Sequence, residues 1–173
     1  MSEPAPEFLF LEPDLNALDI EIERVRGLIR EAKEMGQEST EQSSESWHDN
    51  YNFEESQRQL RMYLNMLGGL SKAREHARVV SPPENAEMVD IGCKVRFEQC
   101  VVLPDGRMRG SFEDEFAIGS YMVGDELRDL GFISYDTPIG RALIGSRPGD
   151  VVQADIGGQV NRFTVLSVEP AFT

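Results

Sequence analysis

LNALDIEIERVRGLIREAKEMG, residues 15–36, places Leu15, Leu18, Ile22, Val25, Ile29 and Ala32 at alternating steps of three and four. That spacing is a coiled-coil seam, narrower than the stripe a helix needs to cover a globular core. Pro13 and Asp14 suit the start of such a helix, one by its preset backbone and the other by its charge at the positive end of the dipole. Gly36 is placed to end it. Working outward, Phe53, Leu60, Tyr63, Leu67, Leu70 and Ala77 form a second seam, with Ser56 and Arg74 at its remaining positions. Gly68 and Gly69 weaken it by about 1 kcal/mol each relative to alanine. Two seams of similar length joined by a loop pack as an antiparallel hairpin. Neither helix shows a second apolar face, so the hairpin is expected to stand in solvent over roughly 35–45 Å.

The stretch between the helices, GQESTEQSSESWHDNYN, is rich in Ser, Gln and Glu, and no Lys or Arg occurs between Lys33 and Arg58. Its carboxylates are Glu38, Glu41, Glu45 and Asp49, followed by Glu54 and Glu55. A solvated acidic loop is the plain reading. Trp47, Tyr51 and Phe53 are unusual company for a loop that only solvates. Carboxylates are hard oxygen donors suited to Mg²⁺, which gives this tip a second possible chemistry.

The flanking regions complete a four-part organisation. Residues 1–12, with Pro4 and Pro6, read as a loose N-terminal arm. The hairpin covers 13–80, with its acidic tip at about 37–52. Residues 81–90, opening on Pro82 and Pro83, cannot continue a helix and read as a linker. From 91 to 173 the period becomes alternating. KVRFEQCVVL (94–103), a stretch over 107–122, GFISY (131–135), VVQADI (151–156) and VNRFTVLSV (160–168) are strands, with Pro138 opening a short helix through Leu143. Asp125, Glu126, Arg128 and Asp129 read as a solvated loop. The fold class is α+β with segregated parts.

Composition narrows the functional classes. A formal net charge of −14 over 173 residues argues against a protein that grips nucleic acid by counterion release, so no independent DNA binding is expected. Cys93 and Cys100 fit no metal-ligand spacing and no disulfide framework. The N-terminal stretch carries no signal-peptide pattern, and no window has the length and apolarity of a membrane span, so a cytoplasmic location without membrane contact is expected. His48 and His76 stand without a nucleophile that the sequence pairs with them, and no phosphate loop or dinucleotide fingerprint occurs. An enzyme acting alone is disfavoured.

ISYDTPIGRALIGSRPGDVV (133–152) resembles the signature of the Gre transcript-cleavage factors, in which a strand runs into a Ser-Pro-[IL]-[AG]-Arg-[AG]-Leu-[IL]-Gly stretch and then a Gly-Asp. Thr137 stands where the family usually has serine; Pro138, Ile139, Gly140, Arg141, Ala142, Leu143, Ile144 and Gly145 keep the pattern. SYMVGDELRD (120–129) is similar to the preceding strand and turn. IREAKEMG (29–36) and DNYNFEESQRQL (49–60) resemble the end of the first and the start of the second coiled-coil helix. The resemblance covers nearly the whole chain beyond its first dozen residues.

The resemblance implies an FKBP-like C-terminal domain that docks on bacterial RNA polymerase through Thr137, Pro138, Ile139, Gly140 and Arg141. It also implies a coiled coil that enters the secondary channel. Asp49 and Glu45, with Glu41, would then act in trans, holding an Mg²⁺ of the polymerase active site beside the nascent RNA 3′ end so that backtracked RNA is cleaved. No cofactor of its own is implied, and a monomer is expected. The tip departs from the family pattern: Asp49-Asn50 fills the Glu-Asn position, but Ser46 stands where the second acid belongs, and the stretch after Gly36 is longer. A second possibility is therefore a Gre-like paralogue that enters the same channel and modulates transcription without productive cleavage. A third is an interaction module unrelated to transcription, with the hairpin as its binding arm.

Overall fold

A computed structural model describes residues 7–42 and 47–172, with side chains described except at 38–42, 47–50 and 52. The element order is β1 (Phe8–Phe10), α1 (Glu12–Gln42), α2 (Trp47–Glu75), β2 (Ala77–Val79), β3 (Cys93–Val102), β4 (Met108–Gly119), α3 (Asp125–Asp129), β5 (Phe132–Ser134), α4 (Pro138–Leu143), β6 (Val151–Ile156) and β7 (Gln159–Pro170). The chain divides into two compact units: 16–76 form a helical one, and 6–15 with 77–173 a β-rich one. This is the α+β class that the change of period announces.

In the helical unit the α1 seam is buried as its spacing requires: Leu18, Ile22, Val25, Ile29 and Ala32 are all at most 7% exposed. Arg74 Nε donates to Asp19 Oδ1 at 2.6 Å, and Gly36 lies against Ser56, so the helices run antiparallel. Gly36 does not end α1. It is buried in the helix at a point where a Cβ would stand 3.1 Å from Ser56 Oγ, so its role is close packing, and α1 continues to Gln42. The loop expected from 37 onward is therefore helical as far as Gln42 and again from Trp47. The α2 seam also shifts. Ala73 is buried where Arg74 was expected, Phe53 is 40% exposed, and Ala77 has left the helix for β2.

The β-rich unit is built on one sheet of order β5-β4-β3-β7-β6, antiparallel throughout except where β5 joins β4 in parallel. Alternation in β3 sends Cys93, Val95 and Phe97 inward and leaves Arg96 and Glu98 exposed. Phe97 meets Phe163 edge-on at 5.4 Å and Phe116 at 4.8 Å, and Val95, Ile118, Leu143 and Val165 complete the centre of the core. On the outer face Lys94 pairs with Glu115 and Arg96 with Glu113, cross-strand contacts that keep that face polar.

Three segments differ from the sequence expectation. Residues 7–11 are no loose arm: β1 pairs in parallel with β2, Phe10 and Leu11 are buried, and Leu11 N–H donates to Ser120 Oγ at 2.8 Å. The run Phe8-Leu9-Phe10-Leu11 carries enough apolar surface to offset its ordering; residues 1–6 lie outside the described residues. The segment 81–90 belongs to the β-rich unit: Val89 is buried, and it exchanges backbone hydrogen bonds with Ser146 and Gly145, each 2.8 Å. Asp125–Asp129 is a short helix that buries Leu127, whose single apolar side chain is too little signal to break the charged pattern around it.

Candidate functional site

Two regions carry the candidate residues, one in each unit. In the helical unit, Glu41 falls in the last turn of α1 and Asp49 in the first turn of α2. Glu45 lies outside the described residues, as do the side chains of Glu41 and Asp49. Their carboxylates are the donor type that a hard cation takes. Among the described residues no three His, Cys, Asp or Glu side chains group to hold a metal ion.

The described surface beside the tip is a shallow concavity lined by Tyr51, Phe53, Glu54, Glu55, Gln57, Arg58 and Arg61. Tyr51 and Phe53 are 67% and 40% exposed, so these two aromatic residues face solvent. Arg58 grips Glu55 with Nε and Nη2 at 2.8 and 2.7 Å, and Gln59 adds a bond at 3.0 Å. The Arg58 hydrogen bonds, then that of Gln59, pull the Glu55 carboxyl down from 4.5 to about 2. Arg58 is itself raised by the same partner, so its charge is already matched within α2. Arg61 and Lys33 are exposed.

In the β-rich unit, Thr137, Pro138, Ile139, Gly140 and Arg141 come together as the start of α4. Thr137 caps it: its Oγ1 accepts from Gly140 N–H at 3.0 Å and donates to Ser134 carbonyl oxygen at 2.8 Å. Pro138 occupies the first turn, where its missing N–H costs nothing. Gly140 is buried so tightly that a Cβ would stand 2.5 Å from Ser134 oxygen and 2.7 Å from Tyr135 oxygen. This clamp leaves Arg141 pointing outward, its side chain 67% exposed, with Nε and Nη2 on Asp136 Oδ1 at 3.0 and 2.7 Å. Asp136 was missed in the sequence; the signal was an acid just before the helix cap, within reach of an arginine in the first turns. Behind the helix, Tyr135 hydroxyl accepts from Leu9 N–H at 3.3 Å, and burial pushes that phenol above its usual range.

A further group outside both candidate regions is Asp14, in the first turn of α1 and 2% exposed. Gly124 N–H donates to its Oδ1 at 2.8 Å, and the Ser120 hydroxyl donates to Oδ2. Its partners are neutral donors that satisfy the carboxylate and tie that turn to the β4–α3 connection, a role beyond the dipole complement expected of it. No helix among the described residues is long and apolar enough to cross a membrane.

Residues 122–170 match the family model described as transcription elongation factor, GreA/GreB, C-terminal. Transcription elongation factor GreA of Lachnoclostridium phytofermentans is 28% identical over 161 residues, covering 92% of this chain and 89% of that protein. GreA of Mesorhizobium japonicum is 35% identical over 91 residues, covering 49% of this chain and 54% of that one. Among solved structures, the GreA factor homolog Gfh1 of Thermus thermophilus aligns over 95% of this chain and 99% of its own at a TM-score of 0.43 and 22% identity.

Proposed function

We propose that this chain is a transcription elongation factor of the GreA/GreB family, one that binds bacterial RNA polymerase at its secondary channel and stimulates cleavage of backtracked RNA by the polymerase's own active site. The single observation that carries this reading is the match of residues 122–170 to the GreA/GreB C-terminal domain, on a chain whose other half is a pair of long helices joined through an acid-rich tip. A 31-residue helix is about 46 Å long, enough for a hairpin to carry carboxylates down a channel from outside. Asp49 and Glu45, with Glu41, are the residues proposed to act there. Those carboxylates would help hold the polymerase's second Mg²⁺, which would supply activation of the attacking water and charge neutralisation at the phosphate. This chain's part is to add oxygen ligands and orient that water. Arg141, oriented by Asp136 on the clamped turn of α4, is the proposed docking contact with Thr137, Pro138, Ile139 and Gly140.

A second reading has its own observations: Ser46 in place of an acid three residues before Asp49, and an α1 that runs past Gly36 to Gln42. On that reading the chain enters the channel and slows transcription without cleavage.

A stalled, backtracked elongation complex with Mg²⁺ tests both. Short 3′ RNA released by the wild-type chain, and lost in Asp49→Ala, supports cleavage. No release, with slowed elongation that Asp49→Ala relieves, supports the second reading. Failure to bind polymerase at all removes both.

A further inference from the structure

We infer that the α1–α2 hairpin contains a bending level set by Gly27, Gly68 and Gly69. The register is fixed by the Asp19–Arg74 ion pair and the Gly36–Ser56 contact. In that register Gly27 of α1 stands level with Met66, and Gly68 and Gly69 of α2 stand level with Arg24 and Val25. The three glycines therefore fall within about one helical turn of each other along the hairpin.

None of the three is explained by packing or backbone shape. A Cβ on Gly27 would meet only the far end of the Arg30 side chain, at 3.9 Å, and on Gly68 or Gly69 it would meet nothing within 4 Å. All three lie inside regular helices, and none has positive φ. Alanine fits at each site and is the better helix former. Gly36 is the contrast, because Ser56 Oγ stands 3.1 Å from where its Cβ would be. A helix is weakened about five-fold for each alanine replaced by glycine, and helices kink preferentially at Gly and Ser pairs such as Gly68-Gly69-Leu70-Ser71.

At this level the helices meet through the buried seam residues Val25 and Leu70, with the three glycines away from that seam. The ion pairs beside it, Glu21–Arg24 and Glu23–Arg26, run within α1 and do not join the helices. The two contacts that fix the register lie on either side of it. Met62, Leu64 and Met66, off the seam, are 50%, 48% and 39% exposed, so the outer face of α2 is open to solvent here. Deflection of the tip-bearing half therefore pivots on the packed seam, with the helix backbone yielding at the glycines. The inference concerns the hairpin alone and does not depend on polymerase binding.

Two measurements on the full chain test it. In hydrogen exchange, amides of 68–73 should exchange about ten-fold faster than those of 59–63, and Gly27→Ala/Gly68→Ala/Gly69→Ala should remove the difference. Spin labels on Glu54→Cys and Lys72→Cys, in a Cys100→Ser background with Cys93 buried, report the bend across about 27 Å of α2. Their distance distribution should narrow about two-fold in the triple-alanine chain. Equal protection on both sides of the level, or equal widths in the two chains, would overturn the inference. Gly68→Ala alone should move both readouts part of the way.

Discussion

Gly140 lies so close to Tyr135 that a Cβ would stand 2.7 Å from the Tyr135 carbonyl oxygen, in a turn where Ser134 oxygen is nearer still at 2.5 Å. Both obstacles are backbone, which cannot swing aside as a side chain can. Gly140→Ala should therefore lower unfolding stability by about 1–3 kcal/mol and displace Arg141 from Asp136. Denaturant unfolding checks the first effect. An unchanged midpoint would mean that the β5–α4 turn relaxes far more freely than its geometry allows.

Thr137 caps α4 through a hydroxyl that both accepts from Gly140 N–H and donates to Ser134 oxygen. Serine offers the same hydroxyl, so Thr137→Ser should be close to neutral. Thr137→Ala should cost about 1 kcal/mol. If the two variants unfold at the same midpoint, the cap does not hold the helix.

Asp14 is the buried carboxylate with the most to lose. Asp14→Ala would leave Gly124 N–H and the Ser120 hydroxyl buried without their acceptor, a cost of about 1–3 kcal/mol. Asp14→Asn keeps one oxygen but turns an amide N–H₂ toward a donor, so it should recover only part of that loss. Wild-type stability in both variants would show that water replaces the carboxylate there.

The Glu55–Arg58 clamp sets a pH dependence for α2. Arg58, then Gln59, favours the charged carboxylate and holds it at about 2 against an ordinary 4.5. Since the folded value is the lower one, the clamp's contribution is complete above about pH 4.5 and is lost as pH falls toward 2. Carbon NMR of the Glu55 carboxyl should give a midpoint near the lower figure in wild type and one near the ordinary figure in Arg58→Ala. An ordinary midpoint in the wild-type chain would mean that the pair is open in solution.

Much of the fold is legible in the sequence where a period repeats. Leu18, Ile22, Val25 and Ile29 mark α1 because a seam repeats over several turns. Lys94 to Leu103 and the Gly157-Gly158 hairpin mark strands because inward and outward residues alternate. Legibility ends where a residue's partner is distant in sequence. Asp14 looks like a dipole residue until Ser120 and Gly124 are beside it, and Gly36 looks like a helix terminator until Ser56 faces it. Phe8–Leu11 is too short to show a period, and its strand partner lies at 77–79. In the candidate site, the cap, the proline and Arg141 follow from local spacing, whereas the burial of Gly140 under two carbonyls does not. At the tip, sequence alone identifies the carboxylates, since their side chains fall outside the described residues.

Action of the tip in trans on RNA held by polymerase, as proposed, can be read in a single assay. A backtracked elongation complex is incubated with Mg²⁺ and either the wild-type chain, Asp49→Ala or Arg141→Glu. Wild type should release short 3′ fragments. Asp49→Ala should lose cleavage but keep polymerase binding, and Arg141→Glu should lose both. Undiminished cleavage by Asp49→Ala, or polymerase binding unaffected by Arg141→Glu, would contradict the proposal.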